Sequence, residues 1–315
     1  MIDGRNLPIS IIAGLLSAFL FLAPLTFGKM GFLFSSFTTL PLFVSVLGFG
    51  IISGLVSSSV LILVIAMIFD VHDSAEVFII TLLPTLWIGY LVTLRRYDSG
   101  CEQWFPLESV FFRIVLFSGV VALTFGAVTQ YSTEANILAI NDLIKEWMQT
   151  TPGLDPNNAE MIRIQALAMA NIMPIAMPIS IMLLLILNLH IGVRIAGARG
   201  WLLRPKDDIP SSTSLPLYVG VIFTAALILS FLSGKIGLVA KVVSGTSGGA
   251  FAMVGLATLH KLTKGFQWRN FVLSLTYFSI LIFILITGPL LAALGMAETL
   301  FQLRKRHTLP PPSSI

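Results

Sequence analysis

The chain has 315 residues, of which 56% are hydrophobic and only 11% are charged, and its formal net charge is +4. A soluble domain carries roughly 25% charged residues, so this composition excludes an ordinary water-soluble protein. The apolar residues form runs of about 18 to 25, the length that crosses a ~30 Å hydrocarbon core, and they lack the alternation of barrel strands. An all-α, multi-pass membrane protein is therefore predicted.

The positive charge lies in short clusters between the apolar runs, where the positive-inside rule places it, and so does not indicate nucleic-acid binding. The single cysteine, Cys101, excludes an intrachain disulfide and is interpreted as incidental. The fold prediction is a polytopic transmembrane helical bundle of about eight spans, a segment that either spans or re-enters, and one extramembrane amphipathic helix. A single membrane domain is expected over residues 1–303.

The first half of the chain alternates apolar runs with short polar loops. Its predicted spans cover residues 8–28, 51–69, 77–94 and 109–128. Residues 31–49 are apolar but interrupted by Pro41, so this segment is either a full span or a re-entrant element. The loop near residue 72 is acidic and the loop near residue 95 is basic, which places them outside and in the cytoplasm respectively.

Residues 131–160 are the one sizeable polar stretch and are predicted as an extracytoplasmic amphipathic insert. The helical period places its large apolar side chains on one face, opposite Asn141, Asp142, Lys145 and Glu146. These apolar residues are Ile137, Ile140, Ile144, Trp147 and Met148. Asp155 as N-cap and Pro156 at the first helical position then predict the start of a long helix that ends near Arg194.

The remaining predicted spans cover residues 215–233, 236–262 and 271–294, followed by a basic, proline-rich disordered tail at 304–315. Basic loops near 199 and 264 are expected in the cytoplasm. One span after the loop near 264 would then place the basic residues at 304–306 outside. Two explanations stay open: the charge rule is broken there, or Gly288-Pro289 breaks the last segment so that it re-enters.

The stretch "KVVSGTSGG" superficially resembles a phosphate-binding loop. That loop requires lysine after the glycines, between a strand and a helix, whereas Lys241 precedes them inside an apolar run. Small residues four positions apart instead indicate close helix packing or a surface for a partner membrane protein. The pairs are Gly14 with Ala18, Gly50 with Gly54, and Gly245 with Gly249. Lys241 either reaches the membrane interface or enters a polar cavity.

A candidate ligand site comprises Asn171, Pro174 and Pro178, together with Lys241. Each proline cannot bond the carbonyl four residues earlier, which frees polar backbone groups at membrane depth. Such groups are tolerated when they are buried in protein or line a cavity, and interrupted helices of this kind bind solutes in transporters. A proline kink without any ligand is the alternative.

Other polar residues carry weaker signals. His190, with Asn188, and His260 are interpreted as lone histidines near span ends. Asp70, His72, Asp73 and Glu76 form either a solvated acidic loop or a cation site. The sequence contains no metal-ligand pair, cofactor motif or catalytic constellation, so no metal, no cofactor and no enzymatic activity are predicted. The lack of intramembrane carboxylates argues against an ion-driven pump.

The stretches "LPLFVSVLGFGIISGLVSSSVLILVIAM", "LLPTLWIGYLVTLRR", "GLATLHKL" and "LGMAETLFQLRKR" resemble the YybS-like family of bacterial membrane proteins. That family is distantly similar to the substrate-binding S components of energy-coupling-factor vitamin transporters. The resemblance implies a bundle of about six spans that holds a small molecule near the outer face and docks on a partner membrane protein through small-residue surfaces. The extra amphipathic insert is a departure, and no ligand residue carries over.

Two functions are weighed. The first is a small-molecule binding or uptake component in the bacterial cytoplasmic membrane, with its pocket opening outward near Asn171 and the 131–160 insert. The second is a non-transporting scaffold or assembly factor that binds another integral membrane protein through its glycine surfaces and cytoplasmic loops. In both, the lipid bilayer is the surrounding partner.

Overall fold

The computed structural model describes residues 6–69, 77–98, 101–129, 134–150, 158–202, 204–205 and 213–306. The chain divides into two compact units. One comprises Met1–Phe117 with Ile181–Ser214, and the other comprises Ser118–Ser180 with Leu215–Ile315. The expectation of a single domain over 1–303 stays a prediction, and each unit is described by itself.

The described residues are mainly helical, which confirms the predicted all-α class. The helices are α1 (Leu7–Phe27), α2 (Gly31–Ser35), α3 (Leu40–Phe49), α4 (Ile51–Ala66), α5 (Leu83–Thr93), α6 (Leu107–Thr129), α7 (Glu134–Thr150), α8 (Ala159–Ala198), α9 (Leu217–Leu229), α10 (Gly234–Leu262), α11 (Arg269–Ile282), α12 (Ile284–Phe301) and α13 (Leu303–Arg306). A 3-10 turn (Gly28–Met30) precedes α2, and a π-helical turn (Phe78–Leu82) precedes α5.

Five helical segments are long and apolar enough to cross a membrane: Leu7–Ser35, Leu107–Ala127, Ala159–Ala198, Gly234–Leu262 and Ile284–Phe301. Shorter apolar helices cover most of the other predicted spans. The count of about eight full spans is therefore not confirmed, although the length and composition of the helices are those of a multi-pass membrane protein.

In the first unit, the segment 31–49 is two short helices rather than one. Gly28 has a φ of +54°, and Gly31 lies against the backbone of Ala23 and Pro24, so α2 folds back along α1. Residues 36–39 form turns, and α3 then resumes as a largely buried helix. With 10 residues, α3 is about 15 Å long at 1.5 Å per residue, which is too short to span a bilayer.

A tight hairpin joins α3 to α4 at Gly50, whose φ is +86°. The hydroxyls of Ser45 and Ser57 hydrogen-bond at 2.8 Å across the two helices, and Gly54 lies against Val46. The partner residue numbers rise on one helix as they fall on the other, so the two helices run antiparallel.

A short antiparallel hairpin, β1 (Arg95–Asp98) with β2 (Cys101–Trp104), was not predicted. The Arg204 guanidinium donates to the carbonyl oxygen of Phe105 at 2.7 Å and lies over the ring of Trp104. The basic loops near 95 and 199, which were expected on one side of the membrane, therefore lie at the same end of this unit.

In the second unit, α10 is the most buried of the candidate spans and contacts four neighbouring helices through small residues. These contacts are Thr246 with Gly119 of α6, Gly245 with Ile175 of α8, Gly248 with Phe223 of α9, and Gly255 with Leu291 of α12. Because little hydrophobic force drives helices together in lipid, close backbone approach of this kind supplies the packing.

The helices α10 and α12 run antiparallel. Gly255 lies against Leu291 and Gly295 lies against Phe251, so residue numbers rise along α10 as they fall along α12. The chain end that follows α12 therefore lies at the N-terminal end of α10, opposite the basic loop that follows Leu262.

Of the two explanations left open for the basic residues at 304–306, a break at Gly288-Pro289 does not hold, since α12 continues through both residues and the interruption falls at Phe283. A departure from the charge rule there stays a prediction. Those residues are also not a disordered tail, because they belong to α13, while residues 307–315 lie outside the described part of the chain.

Candidate functional site

The predicted ligand residues Lys241 and Asn171 meet in the second unit. The Lys241 ammonium donates to Asn171 Oδ1 at 2.9 Å, and Asn171 Nδ2 donates to the carbonyl oxygen of Leu167 at 2.9 Å. An ammonium has three donors, and this bond uses one of them. Measured from Lys241 to Leu262, α10 covers ~31 Å, about the thickness of the hydrocarbon core. Lys241 thus lies about one hydrocarbon thickness along α10 from the end of that helix.

The two predicted prolines lie just beyond this pair, within an uninterrupted α8. Pro174 and Pro178 are both buried. Gly245 brings the α10 backbone against the carbonyl of Ile175, between the two prolines. The proline segment therefore provides the close contact between α8 and α10, and the Lys241–Asn171 bond lies at its edge.

The amphipathic helix α7 packs on the first turns of α8. Ile144 and Met148 are buried against Ile162 and Ala166, with Ile137 and Ile140 partly buried beside them. Trp147, which was expected on the same apolar face, is half exposed. The α7 contact at Ala166 lies little more than one helical turn from Asn171 along α8.

The start of α8 differs from the prediction. The Asn158 side chain caps the helix by accepting a hydrogen bond from the backbone N–H of Met161 at 3.0 Å. Asn158 supplies the capping oxygen that was expected from Asp155, since its side chain reaches the third residue on. Asp155 and Pro156 lie outside the described residues.

A second polar arrangement, in the first unit, was missed. Asn188 is buried and donates from Nδ2 to the carbonyl oxygens of Ser36, at 2.9 Å, and Leu184, at 2.8 Å. It was expected near the end of a span beside His190. It lies roughly 15 Å along the helix from Ala198, and its position in a membrane stays a prediction.

Asn188 replaces a backbone donor at the break between α2 and α3. In a continuous helix, Leu40 N–H would bond the carbonyl oxygen of Ser36. Here it bonds Phe37 at 3.0 Å, and Pro41 has no N–H to offer Phe37. The carbonyl of Ser36 is left for the side chain of Asn188. Its sequence signal was the polar run "SSFTT" before Pro41, together with one amide in the apolar run "LLLILNL".

Three buried side-chain oxygens of the first unit have no hydrogen-bond partner in the structure: Ser17 Oγ, Ser58 Oγ and Asn188 Oδ1. Such atoms are uncommon in folded proteins, because desolvating an unpaired polar group costs about 1–3 kcal/mol. Ser17 is seven residues from Pro24 along α1. Ser17 thus shares a face of α1 with Pro24, near which α2 folds back.

The predicted small-residue surfaces are largely covered inside their own units. Gly14 lies against the backbone of Ser57, Ala18 belongs to a buried apolar cluster, and Gly54 is buried against Val46. In the second unit, Gly245 and Gly249 are both buried. Gly50 does not pack at all, because an added Cβ would meet nothing within 4 Å; its role is the positive φ of the hairpin.

The remaining candidates add no site. His260 Nε2 and the Tyr277 hydroxyl are 2.8 Å apart, a contact between α10 and α11. The acidic group at 70–76 lies outside the described residues. Within the part of the chain that the structure describes, no three His, Cys, Asp or Glu side chains come together in a group that could hold a metal ion.

No protein-family model, curated protein or solved structure matches this chain. The resemblance to the YybS-like family and to the S components of vitamin transporters therefore stays a prediction.

Proposed function

We propose that the protein is a membrane-embedded binding component for a small anionic solute, with Lys241 as the residue that recognises the negative charge. The observation that carries this proposal is the pairing of the Lys241 ammonium with a neutral amide, that of Asn171. A cation in a membrane-length apolar helix is costly, and such residues usually mark a ligand or a partner charge. Among the described residues, no carboxylate forms an ion pair with Lys241.

An anionic group would complete the hydrogen bonding of this pair. Two Lys241 donors remain after the bond to Asn171, and a carboxylate or phosphate accepts such donors in short, charge-assisted hydrogen bonds. The position of α7 supports the same site, since this helix packs on α8 just beyond Asn171 and would border the entrance. A solute would thus enter from the side on which α7 lies.

The scaffold hypothesis receives less support from the small-residue surfaces, although Gly50 and the cytoplasmic loops stay open to it. Gly14, Ala18, Gly54, Gly245 and Gly249 are buried within their own units and are not available to a partner. Solute binding is therefore the function that the geometry supports best. An uptake role driven by nucleotide hydrolysis would require a partner that supplies the energy, because the sequence contains no nucleotide-binding loop.

The test is thermal unfolding of the purified full chain in lipid nanodiscs against matched anionic, neutral and cationic metabolites. At least one carboxylate or phosphate compound should raise the unfolding midpoint, because a ligand that binds only the folded state stabilises it. Lys241→Met should abolish this rise and Lys241→Arg should keep part of it. Lys235→Met is the matched control, since Lys235 lies exposed on the same helix.

Two results would contradict the proposal. One is a panel in which no anion shifts the midpoint of the wild type. The other is an equal loss in the Lys235→Met and Lys241→Met variants, which would indicate general surface charge rather than a site.

A further inference from the structure

The break between α2 and α3 places backbone and side-chain oxygens inside the first unit. The carbonyl oxygen of Ser36 has lost its helical donor and is bound by Asn188 Nδ2 at 2.9 Å. Irregular backbone at membrane depth is tolerated only where protein or a cavity satisfies it. One amide donor satisfies part of this requirement, because a carbonyl oxygen has two lone pairs.

The same asparagine leaves an acceptor unsatisfied. Asn188 is only 1% exposed, and its Oδ1 has no hydrogen-bond partner, although its Nδ2 makes two bonds. Ser17 of α1, in the same unit, is fully buried and its hydroxyl is also without a partner. The first unit therefore holds buried oxygen atoms to which no donor is bound.

We propose that this break is a binding site for a monovalent cation, with Asn188 Oδ1, the carbonyl oxygen of Ser36 and the hydroxyl of Ser17 among its ligands. Each of these groups is an oxygen acceptor, the type that replaces the hydration shell of an alkali cation. Unwound backbone carbonyls of interrupted helices coordinate sodium in this way in transporters.

The charge of the site selects a monovalent rather than a divalent ion. The three proposed ligands are neutral, whereas calcium sites normally contain carboxylates and magnesium loses its water reluctantly. A cage of neutral ligands in the protein interior would leave the full charge of a divalent ion uncompensated, and burying an uncompensated charge is costly. This site is separate from Lys241, so the inference does not depend on the proposed function.

The experiment measures thermal unfolding of the full chain in nanodiscs of a zwitterionic lipid, which avoids ion binding to headgroups. Sodium, lithium and potassium chloride are each titrated at constant ionic strength against N-methyl-D-glucamine chloride. The wild type should show a saturable rise of several degrees with one alkali ion and none with the organic cation. Equal unfolding midpoints in all four salts would overturn the proposal. A buried water, rather than a cation, would then satisfy the oxygens at the break.

Three variants distinguish cation binding at Asn188 from a purely structural role of its hydrogen bond to Ser36. Asn188→Asp keeps an acceptor and adds a negative charge, so its midpoint should fall in the organic salt and its alkali-ion shift should exceed that of the wild type. A shift unchanged from the wild type would contradict the proposal. Ser17→Ala deletes a hydroxyl that bonds nothing in the fold, so it should unfold normally in the organic salt but show a smaller alkali shift.

A Ser17→Ala variant with the full alkali shift would remove Ser17 from the ligand set. Ser180→Ala is the control on α8, because its hydroxyl bonds the carbonyl of Ala176 on an exposed face. It should leave the ion dependence unchanged, and a loss of that dependence in this variant would overturn the assignment to the break.

Discussion

Gly255 of α10 and Gly295 of α12 bring two helix backbones into direct contact. An added Cβ at Gly255 would lie 3.0 Å from the backbone nitrogen of Gly295, and one at Gly295 would lie 2.8 Å from that of Gly255. Carbonyl oxygens of Leu291 and Phe251 lie closer still. Because backbone atoms rather than flexible side chains are in the way, any larger residue has to separate the helices.

Gly295→Ala is therefore expected to destabilise the protein by about 1–3 kcal/mol, the usual cost of overpacking. The measurement is the unfolding midpoint in a denaturing-detergent titration. Gly288→Ala on the same helix is the control, since nothing lies within 4 Å of its added Cβ. Alanine is the better helix former, so this control should be neutral or slightly stabilising. Equal losses in the two variants would contradict close packing at Gly295.

The long apolar helices could be predicted from the sequence, but the residues against which their glycines pack could not. Apolar runs and their lengths gave the helical class, because hydropathy is a local property of the chain. The same small-residue spacing suits an internal contact and a docking surface, so Gly14, Gly54 and Gly245 could not be assigned from spacing alone. Gly50 had the same spacing signal and serves a turn instead.

The break between α2 and α3 in the first unit shows a second limit of prediction from sequence. The hydrogen bond from Asn188 to the carbonyl oxygen of Ser36 joins residues 152 positions apart in the sequence, so no local pattern could connect them. The turn itself had a visible signal in Ser35, Ser36 and Thr38, whose side chains bond nearby carbonyls and compete with the helix. By contrast, Lys241 and Asn171 were each singled out by polarity, and the fold brings them together.

Glu298 and Arg304 form a buried ion pair where the chain turns back after α12. Glu298 accepts from Arg304 Nε at 2.8 Å and from its backbone N–H at 2.9 Å, and the two side chains are only 8% and 10% exposed. Glu298→Gln removes the negative charge of this buried ion pair from beside the Arg304 guanidinium. Breaking a buried pair in this way costs roughly 3–5 kcal/mol, so the unfolding midpoint should fall strongly.

The exposed pair of Arg95 and Glu102 is the matched comparison. Its N–O distance is 2.6 Å, but its side chains are 47% and 34% exposed. Glu102→Gln should cost less than ~1 kcal/mol, because solvent screens surface pairs. If the two glutamine variants lost the same stability, the Glu298 pair would not be desolvated as the structure indicates.

Met148 fixes α7 to the start of α8. Its side chain is 1% exposed in a cluster with Ile162 and Ala166, whereas Leu143 of the same helix is 66% exposed. Met148→Ala should weaken this contact by about 2–5 kcal/mol and speed hydrogen exchange in α7. Leu143→Ala should leave the exchange of α7 nearly unchanged. The opposite order of the two variants would place the other face of α7 against the protein.

Gln302 carries the chain from α12 into α13 in a left-handed conformation, with φ 51° and ψ 47°. An L-residue pays roughly 1–2 kcal/mol there, while glycine adopts it freely but loses more chain entropy on folding. Gln302→Gly should therefore raise the free energy of unfolding by about 0.5–1 kcal/mol.

Gly50→Ala should lower the free energy of unfolding, because the φ of +86° at Gly50 disfavours a side chain even where space is open. Denaturant titration of both variants measures the two signs, and a less stable Gln302→Gly protein would mean that the glutamine side chain has a stabilising contact larger than its backbone strain.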